Sequence, residues 1–190
     1  MTIGISLGWN CAAATHGVQI AVRKTKEQGY KTCPFDVMIS NYKGIVQCFE
    51  DDFANFFDLT LLQMPNDSPY MKNDLLIYNP TYKFLFNHES PGHGNLWQNE
   101  KWVLGINHYT DDDFLHFKGR YKKRIENLKK YLESGEDIHF IISYPDIDYT
   151  FNEFKEVLGR KYPNLRYKIE NIGLTASLEH YNDHMKLLGI

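Results

Sequence analysis

The stretch SLGWNC, Ser6 to Cys11, places a cysteine three residues after the glycine that ends a short apolar run. In the first turn of a helix a thiolate is favoured over the thiol, because free backbone N–H groups and the helix dipole stabilise its charge. The same N–H groups can hold the oxyanion formed when a thiolate attacks a carbonyl. Asn10 can donate its carboxamide to that oxyanion, or it can cap the helix. The competing reading of Cys11 is a small residue buried where helix meets sheet, since free cysteine is among the most buried residue types.

A thiol nucleophile needs a base, and the base needs an orienting group. Eight histidines are available. His139 lies in an apolar strand and reads as a satisfied core residue, His16 lies along the helix of Cys11, and His116 sits in a charged helix start. His180 and His184 are one helical turn apart and make a weak metal patch with Asp183, but no third ligand is placed by the sequence. His88 and His93 fall at a strand end and in an irregular loop, where a base could face a cleft. Asp36, in PFDV, is a carboxylate among apolar neighbours. A buried aspartate needs a partner, and a histidine or an arginine would serve.

The elements that must position these groups alternate. Thr2 to Leu7 reads as a first strand, and Cys11 to about Thr25 as a helix. TCPFDVM is an extended piece held open by Pro34. Apolar residues at Ile45, Val46, Phe49, Phe53, Phe56 and Phe57 share one helical face. QMPNDSPYMKND is a loop, LLIYNPTYKFLFNHE two strands with a turn at Asn79-Pro80, and SPGHGNLWQNE a second loop. A helix beginning at Asp111–Asp113 and closed by Gly135 comes next. The strand DIHFIISYP, the helix TFNEFKEVLGRKYP, the strand NLRYKIENIG and a final helical tail complete the chain. This order predicts a single α/β domain over residues 1–190, with a mostly parallel central sheet flanked by helices and a hairpin and loop insertion. Ligands gather beyond the carboxyl ends of such strands, the edge that Gly8 to Cys11 would occupy.

Composition narrows the function. The chain has 190 residues, 43% hydrophobic and 24% charged, an ordinary globular balance. A net charge of -3 supplies no basic field for nucleic acid or an anionic membrane. The 13 Tyr and 12 Phe suit a core, or a stacking surface for sugars or bases. Cys11, Cys33 and Cys48 are odd in number and contain no CxxC pair, which argues against a disulfide framework or zinc site and for a reducing compartment. The first residues show no signal-peptide pattern, and no apolar run reaches membrane-spanning length. The expectation is a cytoplasmic protein needing no cofactor or metal.

With these motifs in view, the chain resembles a papain-like cysteine peptidase family, a domain of unknown function labelled DUF1796. The resemblance rests on SLGWNC, PFDV, FNHE (Phe86 to Glu89) and RYKKRIENLKKYL (Arg120 to Leu132) running into IHFII, in the family's order over about residues 3–145. It implies a Cys-His-Asp arrangement with Cys11 as nucleophile, His88 as base and Asp36 as orienter or structural acid. It places Arg124 and Lys123 where they could bind a carboxylate or phosphate, or pair with Asp36 or cap a strand end. His93 and Trp97 join the candidate substrate-binding residues. Val37 stands where the family has an aromatic, Glu89 replaces the acid after the histidine, and the strand HFIISYP lacks an arginine that often follows it. The α/β order itself does not look like papain.

Two function classes follow. The first is a thiol-dependent hydrolase or acyl transferase acting on a glycan-linked or peptide ester or amide. The second is a non-catalytic module that binds a sugar, nucleotide or peptide at the sheet edge, lined by Tyr78, Tyr82, Trp97 and Trp102. A nucleotide-sugar domain is disfavoured, because no glycine-rich phosphate loop is present and an acidic first helical turn explains Asp111–Asp113.

Overall fold

The computed structural model describes residues 2–63, 75–91 and 100–190. The fold is mixed α/β. Strands β1 (Thr2–Ser6), β5 (Asp137–Ile142) and β6 (Tyr167–Asn171) form a parallel sheet in the order β1-β5-β6. The register pairs Gly4 with His139 and Ile141 with Glu170. Because side chains alternate along a strand, the sheet has two unlike faces. Ile5, Ile138, Phe140 and Ile142 enter the main core, with Ile3, Tyr167 and Ile169 packed against it. Gly4, Ser6, His139, Ile141 and Glu170 occupy the other face.

Helix α1 (Ala12–Gln19) covers that second face. It is shorter than the predicted Cys11–Thr25 helix, because the chain turns back after Ile20 and Val22 O accepts from the Gly4 N–H at 2.7 Å. Small residues let it lie close. A side chain at Gly17 would meet Ile141 Cδ1 at 2.8 Å, and one at Gly4 would meet Arg23 Cβ at 3.0 Å.

PFDV is a 3-10 turn, Pro34–Val37, rather than an extended piece. The Cys33 N–H donates to Asp36 Oδ2 at 2.8 Å, and that bond closes the turn. Helix α2 (Tyr42–Glu50) is also shorter than its apolar periodicity suggests. Phe53, Phe56 and Phe57 still reach the core or pack against it from the turns that follow, so the pattern outlasts the helix.

The insertion is a second sheet. Strands β2 (Thr60–Gln63), β3 (Leu75–Asn79) and β4 (Phe84–Leu85) are antiparallel in that order. The hairpin of β3 and β4 matches the sequence reading, whereas β2 was not expected there. Its TLLQ segment is largely exposed and gives no alternation to detect. Two asparagines join this sheet to α2. Asn41 accepts from the Gly44 N–H at 2.7 Å and donates to the carbonyls of Tyr82 and Lys83, both at 2.9 Å. Asn79 donates to the carbonyls of Asn55 and Phe56 and accepts from the Tyr82 N–H at 2.7 Å.

Helix α3 (Asp111–Leu132) runs across the core, burying Phe117, Tyr121, Ile125 and Leu128. Its acidic start is not a regular first turn. Asp112, Asp113 and Phe114 have φ of 50°, 52° and 61°, in the left-handed region, so the regular helix begins after them. Helices α4 (Asn152–Lys161) and α5 (Leu178–Leu187) flank β6 in sequence. No helix among the described residues is long and apolar enough to cross a membrane.

Gly44 is where α2 meets the hairpin. A methyl group there would lie 2.1 Å from the Tyr82 carbonyl oxygen and 2.8 Å from Phe84 Cε1. Gly44→Ala is expected to destabilise the protein by about 2 kcal/mol, as overpacking of a tight contact does. An unchanged urea midpoint would show that helix and hairpin are not in this contact.

Candidate functional site

The carboxyl edge of the parallel sheet is built by the chain leaving β1 and β5. The Leu7 N–H donates to Ile141 O at 2.8 Å, extending the pairing one residue past β1. Gly8 and Trp9 then dock on the segment before α2. Ser40 Oγ donates to Gly8 O at 2.9 Å, and the Ser40 N–H to Trp9 O at 3.0 Å. Trp9 is buried against His180, Tyr181 and His184 of α5, with ring centroids 5.4–5.6 Å apart. The chain then reaches Cys11 at the start of α1.

Cys11 is exposed, while Cys33 and Cys48 are buried. Burial pushes both buried thiols well above the ordinary cysteine range, with Asp36 adding to the effect at Cys33 and Asp51 at Cys48. Cys11 is therefore the cysteine open to chemistry among the three. Asn10 turns its carboxamide oxygen to the Ala12 N–H at 2.9 Å, so part of that side chain serves the helix start.

The proposed acid and base lie in different surroundings. Asp36 is fully buried and meets Arg23 Nη2 at 3.1 Å through Oδ2, with the Tyr30 hydroxyl 3.4 Å from Oδ1. The Arg23 guanidinium also lies over the Tyr30 ring, 4.1 Å from its centroid. Burial pushes the Asp36 carboxyl up, and Arg23 and the Cys33 N–H hold it back. His88 is half-buried in the 3-10 turn Asn87–Glu89 that follows β4. Burial lowers its pKa from the usual 6.5, opposed by Glu89 and Glu100 and assisted by Arg124 and Arg120. Among the described residues, no hydrogen bond or ion pair joins Cys11, His88 and Asp36 to one another.

Glu89 explains the helix motif RYKKR. It is fully buried and meets Arg120 Nε at 2.9 Å, Arg124 Nη1 at 3.0 Å and the Tyr121 hydroxyl at 3.1 Å. Arg124 is thus committed to an internal carboxylate. Lys123 is exposed, 3.9 Å from Glu126. His93 and Trp97 lie outside the described residues.

The other histidines have local partners. Glu170 stands between His139 Nε2 at 2.6 Å and His16 Nε2 at 3.2 Å, so the core histidine of β5 meets a carboxylate on the neighbouring strand. His180 and His184 pack on each other and on Trp9. Among the described residues, no group of three or more His, Cys, Asp or Glu side chains is arranged to hold a metal ion.

Next to Trp9 the edge opens into a cleft of about 420 Å³. Tyr144 and Tyr149 of the loop after β5 line it, with Tyr42 at the start of α2, Tyr181 and Met185 from α5, and Glu153 at the start of α4. The tyrosines pack edge to face or tilted, Tyr42 against Tyr149 at 5.4 Å and Tyr144 against Tyr149 at 4.9 Å. Burial pushes the Tyr181 phenol up to about 12. The tyrosines and tryptophan named from the sequence do other work. Tyr82 and Trp102 are in the main core, and the buried Tyr78 hydroxyl donates to Leu188 O at 3.1 Å. Tyr144 and Tyr149 could have been found from their place just past an apolar strand, where a parallel sheet presents its ligand edge.

Comparison with protein-family models, with curated proteins and with solved structures finds no match in any of the three.

Asp36 provides a test that separates a structural acid from an orienter. Asp36→Asn leaves the half-buried Arg23 without its counter-charge and is expected to cost about 2 kcal/mol, between an exposed and a fully buried pair. Chemical denaturation measures this, and unchanged stability would remove the structural assignment.

Proposed function

We propose that this chain binds a small organic ligand in the tyrosine-lined cleft at the carboxyl edge of its parallel sheet. The observation that carries the reading is the cleft itself. It is of ligand size, has tyrosines at four of its twelve lining positions, and is formed in part by residues that follow β5 and begin α2 and α4. Pockets of several hundred Å³ with apolar walls and a few placed polar groups are the usual form of small-molecule sites. Its rings already pack against one another, so little side-chain ordering is left for the ligand to impose.

Two-dimensional NMR with sugar, nucleotide and aromatic-amine probes tests this reading. Binding is expected to move the ring signals of Tyr42, Tyr144, Tyr149 and Tyr181. Tyr181→Ala should weaken it about tenfold or more, as loss of an aromatic anchor does, while Cys11→Ala should leave it unchanged. Shifts confined to another surface, or none with any probe, would overturn it.

A second reading is favoured by the exposure of Cys11 at the same edge and by the resemblance to cysteine peptidases. In it Cys11 attacks the carbonyl of a glycan-linked or peptide ester or amide, forming a thioester and releasing the alcohol or amine, with His88 as the proton carrier. This reading requires His88 to approach Cys11 when substrate is bound. Iodoacetamide labelling at pH 6 is the check. Cys11 should react faster than a free thiol, and a rate equal to that of glutathione would remove the second reading while leaving the first intact.

A further inference from the structure

Glu153 sets the polarity of the cleft wall. It begins α4, where its own backbone N–H and the Tyr42 hydroxyl hold its carboxyl below the usual range, so it is ionised at neutral pH. The Tyr42 hydroxyl donates to Glu153 Oε2 at 3.0 Å, and the Tyr149 hydroxyl lies 3.2 and 3.3 Å from the two oxygens. Each phenol has one proton to give, and both protons are spent on Glu153. What the two phenols present to an incoming ligand is therefore oxygen lone pairs. A carboxylate has about four acceptor sites, so Glu153 keeps capacity beyond these bonds.

Three donors at this wall are already engaged within the fold. The N–H of Phe154, in the first turn of α4, donates to Tyr42 Oη at 3.2 Å, and the N–H of Gly44, in the first turn of α2, is taken by Asn41. The Asn41 amide donates to two main-chain carbonyls. Of the charged groups lining the cleft, Glu153 and Glu50 are acidic and Lys43 is basic. Glu50 is ion-paired with Arg160. Lys43 is exposed. Tyrosine ring faces carry partial negative charge and attract cations.

We infer that the cleft takes an organic cation, a protonated amine or quaternary ammonium on a small apolar body, with the charge held by Glu153 and the tyrosine rings. This rests on the cleft being the ligand site, and names the ligand class for it. Apolar groups at Val46, Met185 and Ile190 complete the lining and suit the uncharged body.

Choline, its uncharged carbon isostere 3,3-dimethylbutan-1-ol and the anion 3,3-dimethylbutanoate form a matched probe set. Titration of the full chain, followed by the tyrosine ring signals, is expected to show choline binding about tenfold more tightly than the alcohol, the scale of a cation held by rings and a carboxylate. Glu153→Gln should bring choline to within about twofold of the alcohol and leave the alcohol's affinity unchanged. Because Glu153 is exposed at a helix start, this variant should retain its circular dichroism spectrum. Equal affinity for choline and the alcohol, or tighter binding of the anion, would overturn the charge preference while the cleft stands as a ligand site. Absence of any tyrosine shift with all three would overturn the cation assignment, while the sugar, nucleotide and aromatic-amine probes decide separately whether the cleft is a ligand site.

Discussion

Two buried carboxylates constrain the rest of the molecule. Asp36 and Glu89 are fully buried, and a carboxylate in that position is tolerated only with a counter-charge and filled hydrogen-bond sites. Arg23 reaches Asp36 from the turn after α1, and Arg120 and Arg124 reach Glu89 from α3. Each pair fixes one part of the chain on another. Arg23 ties the end of α1 to the 3-10 turn that packs on β1, and the α3 arginines tie that helix to the end of the antiparallel sheet. The Arg23, Arg120 and Arg124 guanidinium groups lie over Tyr30, Tyr109 and Tyr121, so each charge is flanked by a ring as well as by its carboxylate.

This constraint assigns most of the charged residues in the sequence motifs. PFDV, FNHE and the basic stretch of α3 read as a catalytic acid, a base and an anion-binding pair, yet Asp36 is paired with Arg23, and Glu89 with Arg120 and Arg124, inside the fold. Apart from these pairs, the carboxyl edge of the parallel sheet carries the exposed Cys11 and the tyrosine cleft. The sequence placed Cys11 at that edge from the strand-helix order alone, and the structure keeps it there.

Legibility in the sequence followed the strength of the physical signal. The parallel strands were visible because DIHFII and its neighbours alternate or run apolar between helices, and α3 because its periodicity persists over many turns. Strand β2 was not, since TLLQ is exposed and gains its conformation only by pairing with β3. The length of α2 was overread because Phe53 and Phe56 keep the helical spacing while reaching the core through turns. Asp36 was recognised as needing a partner, but which of histidine or arginine would meet it depends on the path after α1, and no local pattern records that path. The cleft tyrosines come from three separate segments of chain, so only the folded arrangement brings them together.

The cleft owes its shape to the same economy of polar groups. In the loop after β5, Asn171 accepts from the Tyr144 N–H at 3.1 Å and donates to Asp146 O at 2.7 Å, which anchors the loop to β6. Tyr144, Tyr149 and Phe151 then pack on Tyr42, with ring centroids 5.3–5.8 Å from it. Tyr42 in turn binds both the first turn of α4 and Glu153. The wall is therefore set by backbone anchors and ring packing before any ligand arrives. On the proposed reading, an anionic ligand would face the like charge of Glu153, while one that brings donors or positive charge would complete that carboxylate.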